Sequence, residues 1–294
     1  MTQKKIEETE KGRDVEEKVN QPKKFCSRIE EKMKKILYVF LITFFSLTIF
    51  SCAKKDGSSG TATSFWSEQI GTSSYDNGTG VTLYSSDNIY VSGQSNGGLD
   101  GNINSWSDDI FLVKYNSSGT KQWTKKLGIF DNESGVSMTV DSSDNIYVTG
   151  YTKEGYDGNS NSENYDIFLM KYNSSGTKQW TKQLGNSAAD IGMGVTVDSS
   201  DNIYVTGIAS GGLDRNTGSV GEDIVLVKYN SSGTKQWTKQ LGSSSSDFAW
   251  DVTVDSSDNI YVTGFTNGSL EENFNQGSYY DIFLVKYNSD GVKQ

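Results

Sequence analysis

Histidine is absent from the 294 residues, and the two cysteines, Cys26 and Cys52, both lie near the start. Ser-His-Asp and Cys-His mechanisms therefore lack their base, and a zinc site lacks ligands. No glycine-rich phosphate loop followed by Lys occurs. The chemistry that remains belongs to carboxylates and aromatic rings. Asp76, Glu133, Asp190 and Asp247 recur at intervals of 57 residues. Two readings stand for them: a ring of ligand contacts at a channel mouth, or caps of local turns. A second acidic set alternates oxygen-bearing side chains, Asp100-Gly-Asn102-Ile-Asn104 and Asp157-Gly-Asn159-Ser-Asn161-Ser-Glu163. Such alternation can converge on one hard cation such as Ca²⁺, though the same residues also simply make turns. Paired carboxylates, Asp108 with Asp109 and Glu222 with Asp223, are what glycoside hydrolysis would use. Asp109, Asp166, Asp223 and Asp281, however, stand at one repeated position, which suggests a structural role. A binding protein with no cofactor is therefore favoured over an enzyme. Trp106, Tyr156, Tyr165, Phe274, Tyr279 and Tyr280 are set among Gly, Ser, Asn and Asp. That mixture resembles binding loops, where rings supply rigid contact area and small polar residues adapt. Pinning of long loops is the plainer alternative.

Placing these residues requires the repeat. Trp66, Trp123, Trp180 and Trp237 are 57 residues apart, KYNSSGTKQWTK starts at Lys114, Lys171 and Lys228, and VDSSDNIYVTG starts at Val140, Val197 and Val254. In the second unit the pattern predicts strand a over Met138–Asp141, strand b over Ile146–Gly150, strand c over Ile167–Tyr172 and strand d over Thr177–Leu184. The turns Ser142–Asn145 and Asn173–Gly176 carry the residues that turn geometry selects. Strand c is apolar without alternation, so both of its faces must be covered. Each unit then needs neighbours, and radial repetition of four-stranded antiparallel sheets supplies them. The a–b and c–d turns fall at one end of such an array. The long, variable loops Gln94–Asp108, Tyr151–Tyr165, Ile208–Glu222 and Phe265–Tyr280 fall at the other, which marks that rim as the expected binding face.

VTVDSSDNIYVTG followed by DIFLVKYNSSGTKQW resembles the SBBP β-propeller repeat and, more distantly, the NHL repeat. The resemblance covers residues 64–294. It implies an all-β propeller and frequent export, and no single activity. The family's name refers to seven blades, whereas four units occur here. The first, SFWSEQIG (Ser64–Gly71), reads as a d strand with no a, b or c before it, and the last unit lacks d. The leading strand is therefore expected to close the last blade beside Ile282–Tyr287. A monomeric four-bladed ring is favoured over an eight-bladed pair of chains and over a truncated gene.

The N-terminus reads as an address. Lys34 and Lys35 precede the apolar run 36–50, and Ser51-Cys52 ends it. The run is fifteen residues long, apolar apart from Thr43, Ser46 and Thr48, which is short for a spanning helix, and this charge–apolar–small order is a secretory signal. IFSC resembles a lipobox of the looser kind found in spirochaetal lipoproteins, which implies lipidation of Cys52 and anchoring in the cell envelope, at the outer membrane or cell surface. Residues 1–32 read as a disordered extension, or as sequence preceding a true start at Met33. Residues 33–52 are the signal and lipobox, and 53–63 a flexible tether. The net charge of −10 divides into +3 over residues 1–52 and −13 over the rest. An acidic exported domain excludes nucleic acid, whose phosphates require Lys and Arg, and suits a protein or glycan ligand.

Overall fold

The computed structural model describes residues 66–294 apart from 84–86, 102–108, 128–133, 156–163, 215, 217, 219–220, 274, 276 and 278. The expectations for residues 1–63, Cys52 included, lie outside the described residues. So do Trp106, Tyr156, Phe274, Glu133, Asn102, Asn104, Asp157, Asn159, Asn161 and Glu163.

Among the described residues, fifteen strands make four antiparallel sheets, each a meander of sequence neighbours. The first holds β1 (Asp76–Leu83), β2 (Ile89–Ser95), β3 (Asp109–Tyr115) and β4 (Lys121–Lys126). The second holds β5 (Ser134–Val140), β6 (Ile146–Thr152), β7 (Asp166–Tyr172) and β8 (Lys178–Leu184). The third holds β9 (Asp190–Val197), β10 (Ile203–Ser210), β11 (Glu222–Tyr229) and β12 (Lys235–Leu241). The fourth holds β13 (Asp247–Val254), β14 (Ile260–Thr266) and β15 (Asp281–Tyr287). The architecture is that of β-propeller blades.

Turn chemistry fixes each meander. In the a–b turn Asp141 accepts from the backbone N–H of Ser143 and of Asn145, both at 2.9 Å, and from the Tyr147 hydroxyl at 2.9 Å. Asp87, Asp144, Asp201 and Asp258 take the left-handed conformation these turns need, which Asp tolerates better than most residues. In the c–d turn Asn173 accepts from Ser175 N and Thr177 N, and Gly176 turns with φ 74°.

Strand a starts earlier than the sequence pattern predicts, at Ser134 rather than Met138. Its first half is polar and small, and it is strand because it pairs with β6 across a bulge between Gly135 and Ser137. All four a strands bulge at this register, leaving Thr79, Val136, Met193 and Trp250 as the extra residues. Opposite each bulge stands a strand-b glycine. A methyl on Gly150, Gly207 or Gly264 would overlap the carbonyl of Ser134, Ile191 or Phe248, so only glycine lets the strands approach.

The core runs between blades. Ile110 and Leu112 of β3 cluster with Met138, Ile146, Val148, Phe168 and Met170 of the second blade. Ile167 and Leu169 do the same with the third blade, and Ile224 and Leu226 with the fourth. Both faces of β3, β7 and β11 are thus covered, and each fully buried Leu or Ile contributes roughly 1.5–3 kcal/mol.

The ladder expected between Ser64–Gly71 and β15 is not made among the described residues: β15 pairs with β14, and residues 66–71 form no strand. Trp66 stacks instead on Tyr115 of β3 at 6.3 Å, and Ile70 packs with Leu99, Phe111 and Val113. The seat of Trp66 is one that every unit makes. Trp123, Trp180 and Trp237 each lie against the turn glycine of the following blade, and Trp66 lies likewise against Gly119.

Candidate functional site

Antiparallel meanders put the short a–b and c–d turns at one end and the b–c and d–a connections at the other. The first end is nearly invariant from blade to blade. The second gathers the residues that differ, and its frame is a set of carboxylates with local partners.

Asp76, Asp190 and Asp247 each accept a backbone N–H four residues earlier, from Thr72 at 2.6 Å, Asn186 at 2.7 Å and Ser243 at 2.5 Å. The hydroxyls of Ser95 and Thr266 add bonds to Asp76 and Asp247. Asp190 and Asp247 are fully buried, and their carboxylates hold the d–a turn. Burial opposes ionisation of Asp76, but the bonds from Ser95 and Thr72 outweigh it and lower its pKa. Burial dominates at Asp190 and, with Asp166 nearby, raises its pKa to about 7 against backbone bonds from Asn186 and Ser210.

The b–c loops are clasped to strand d. Asp100 pairs with Lys121 at 2.6 Å and accepts from Thr124; Asp214 pairs with Lys235 and Thr238, both at 2.7 Å. Glu271 pairs with Lys293 at the matching place. The lysine ammonium and Thr124 lower the Asp100 pKa. A cation at Asp100 would have to displace Lys121, and among the described residues no group of three acidic, His or Cys side chains could hold a metal. At the start of strand c, Asp109 pairs with Lys126 at 2.7 Å, Asp166 accepts from Gln183 at 3.0 Å and Asp223 from Gln240 at 2.7 Å. All three carboxylates are buried, so the Glu222–Asp223 pair does not open into a cleft as glycoside hydrolysis requires.

Among the described residues, the aromatic side chains of this end divide between two blades. Tyr165 meets Tyr151 edge-to-face at 5.1 Å, with the Lys153 ammonium 4.6 Å above its ring. On the fourth blade Phe265 lies 4.8 Å from both Phe248 and Tyr280 and 5.9 Å from Trp250. Tyr279, Tyr280 and Trp250 are 83%, 56% and 56% exposed, so this nest presents an open aromatic surface. Trp250 is absent from the loop-based set because it sits inside strand a. Its signal was a departure from the repeat: Thr79, Val136 and Met193 occupy the same bulge in the other units.

The SBBP β-propeller repeat matches at residues 66–100, 122–157, 179–214 and 236–271. The chain belongs to the SBBP β-propeller repeat family. An uncharacterized WD repeat-containing protein of Acanthamoeba polyphaga mimivirus is 28% identical, covering 63% of this chain and 17% of its own length. The regulatory protein FlaEY of Caulobacter vibrioides is 27% identical, covering 54% and 18%. The chain thus spans under a fifth of the length of either relative. A Bacteroides caccae protein of unknown function has a similar solved structure, at 8% identity, a TM-score of 0.44 and coverage of 74% of this chain and 68% of that one. A xylan β-1,4-xylosidase from Bacillus halodurans follows at 10% identity, a TM-score of 0.41 and coverage of 73% and 42%.

Proposed function

We propose that this SBBP protein is a non-enzymatic binding module, exported and tethered to the cell envelope by lipid on Cys52, whose variable loop end takes a protein or glycan ligand. The observation that supports this best is the nest of Phe248, Trp250, Phe265 and Tyr280 at that end, with exposed Tyr279 next in sequence, while the opposite end repeats the same turns. Flat aromatic faces stack on sugar rings and anchor protein contacts alike. Trp106, Tyr156, Tyr165 and Phe274 belong to the same rim by their place in the repeat. Asp76, Asp190 and Asp247 support that rim through the d–a turns, and Glu133 stands at the same place in the repeat. Calcium binding through Asp100, Asn102, Asn104 and Asp157, Asn159, Asn161, Glu163 is a subsidiary reading, tested by a calcium-dependent melting shift. A scaffold role in the envelope is the second reading, favoured by the uncovered apolar residues at both ends of the blade array.

The test is binding of the detergent-solubilised chain to arrays of glycans and extracellular proteins. Tyr279→Ala/Tyr280→Ala should weaken the strongest binding at least tenfold, and Ser118→Ala/Ser175→Ala, at the invariant end, should leave it unchanged. The reverse pattern would overturn the assignment of the face. Cys52→Ser should abolish incorporation of labelled palmitate; persistent labelling would remove the anchor from the account.

A further inference from the structure

Each blade boundary repeats the same contacts, and one unmatched half of each is left at either end of the chain. At the three boundaries present, Ile110/Leu112, Ile167/Leu169 and Ile224/Leu226 are buried by the following blade. The fourth-blade counterparts, Ile282 and Leu284, are 88% and 70% exposed. The receiving positions Met138, Val195 and Val252 are buried, whereas the first-blade counterpart Val81 is 70% exposed and Leu83 beside it 65%.

The polar contacts follow the same rule. Ser142 and Ser199 each donate, through backbone N–H and hydroxyl, to Asp201 and Asp258 of the next blade. Ser256 occupies that place on the last blade. Asp87, with the same left-handed backbone, occupies the acceptor's place on the first. Lys114, Lys171 and Lys228 donate to the carbonyls of Ser174, Ser231 and Ser289 one blade on. Lys286 and the Ser117 carbonyl are the corresponding halves left over.

The remaining contact is a strand. On the third blade the Gln240 amide of β12 donates to the Gly211 carbonyl and to Asp223, and accepts from the Leu213 N–H. On the fourth blade the equivalents Gly268, Asp281 and Leu270 line an open groove of about 630 Å³ beside β15. The segment Trp66–Gly71 carries the matching side chains, with Ser67, Gln69 and Ile70 in the places of Thr238, Gln240 and Leu241. It is already seated on its own first blade through Trp66 and Ile70.

Within one chain these two surfaces do not meet. We propose that a second copy of this chain supplies the missing half: the last blade of one copy receives Trp66–Ile70, Val81 and Asp87 of the other. The reciprocal junction makes a two-fold pair. Two identical head-to-tail junctions close a ring, and eight blades lie within the range propellers adopt. Tyr280 lines this groove as well as the aromatic nest, so the junction is tested by oligomeric state and not by ligand binding.

Light scattering on the full chain in detergent should give a dimer. Val81→Asp and Ile282→Asp alter residues exposed in the single chain, so each should leave it folded and render it monomeric. Amide exchange in β15 should be slow in the parent and fast in Ile282→Asp. A monomeric parent, with or without slow β15 exchange, would overturn the proposal. So would a dimer that neither substitution dissociates, or an open series of larger oligomers.

Discussion

Replacing Asp141 by Ala removes the acceptor that organises the second a–b turn. Its carboxylate takes the N–H groups of Ser143 and Asn145, the Asn145 amide at 2.8 Å and the Tyr147 hydroxyl at 2.9 Å, with the Lys171 ammonium at 3.6 Å. The turn amides lie near the surface and can turn to water, so their loss resembles that of a helix cap, roughly 1 kcal/mol. Tyr147 is fully buried, and its hydroxyl is left without an acceptor where water cannot replace it, at about 1–3 kcal/mol. The expected loss is therefore about 2–4 kcal/mol in urea unfolding at unchanged m-value. Asp255 makes the same bonds, but its Tyr261 is only half-buried, so Asp255→Ala should cost less. Tyr147→Phe removes the orphaned hydroxyl, so in that background Asp141→Ala should cost about 1–2 kcal/mol less than in the parent. Equal losses at Asp141 and Asp255, or no relief from Tyr147→Phe, would refute the reasoning.

Asp190 gives a pH dependence of definite sign. Burial raises its folded pKa to about 7, so the folded chain holds this proton more tightly than the unfolded chain. Its contribution is full near pH 4 and is lost as pH climbs towards 7, with a slope of up to about 1.4 kcal/mol per pH unit. Asp190→Asn should flatten that slope in urea midpoints measured between pH 4 and 8. Gly207→Ala should fail to reach the parent fold or lose several degrees of Tm, because its methyl would meet the Ile191 carbonyl; circular dichroism melting checks it. Leu226→Ala, at a fully covered blade boundary, should cost about 2–5 kcal/mol by the same urea titration.

The period of 57 and the two turn motifs made the blades legible, because turn residues and apolar c strands are local signals. The turns fall where the pattern puts them, and β7 differs from its expected span by one residue. Strand a was half hidden, since Ser134 and Gly135 carry no apolar signal and become strand only by pairing with β6. The spacing of Asp76, Asp190 and Asp247 was visible; that each reaches back to an N–H four residues earlier is a property of the d–a turn and not of the spacing. Asp100 reads by spacing as the first oxygen of a cation loop; its ion pair with Lys121 of β4 is a contact between loop and strand d that the spacing does not show. Trp250 was hidden by its position within a strand, where rings usually pack inward. The seat of Trp66 on Tyr115 depends on packing between blades, which no single repeat reveals.

In the proposed function the variable end of the blade array receives the ligand. Amide exchange of the chain with and without the strongest array ligand tests it most directly. Protection should appear in residues 151–155, 208–214 and 265–273 and around Tyr279–Tyr280. Protection confined to the turns 142–145, 173–176, 199–202 and 230–233 would contradict it.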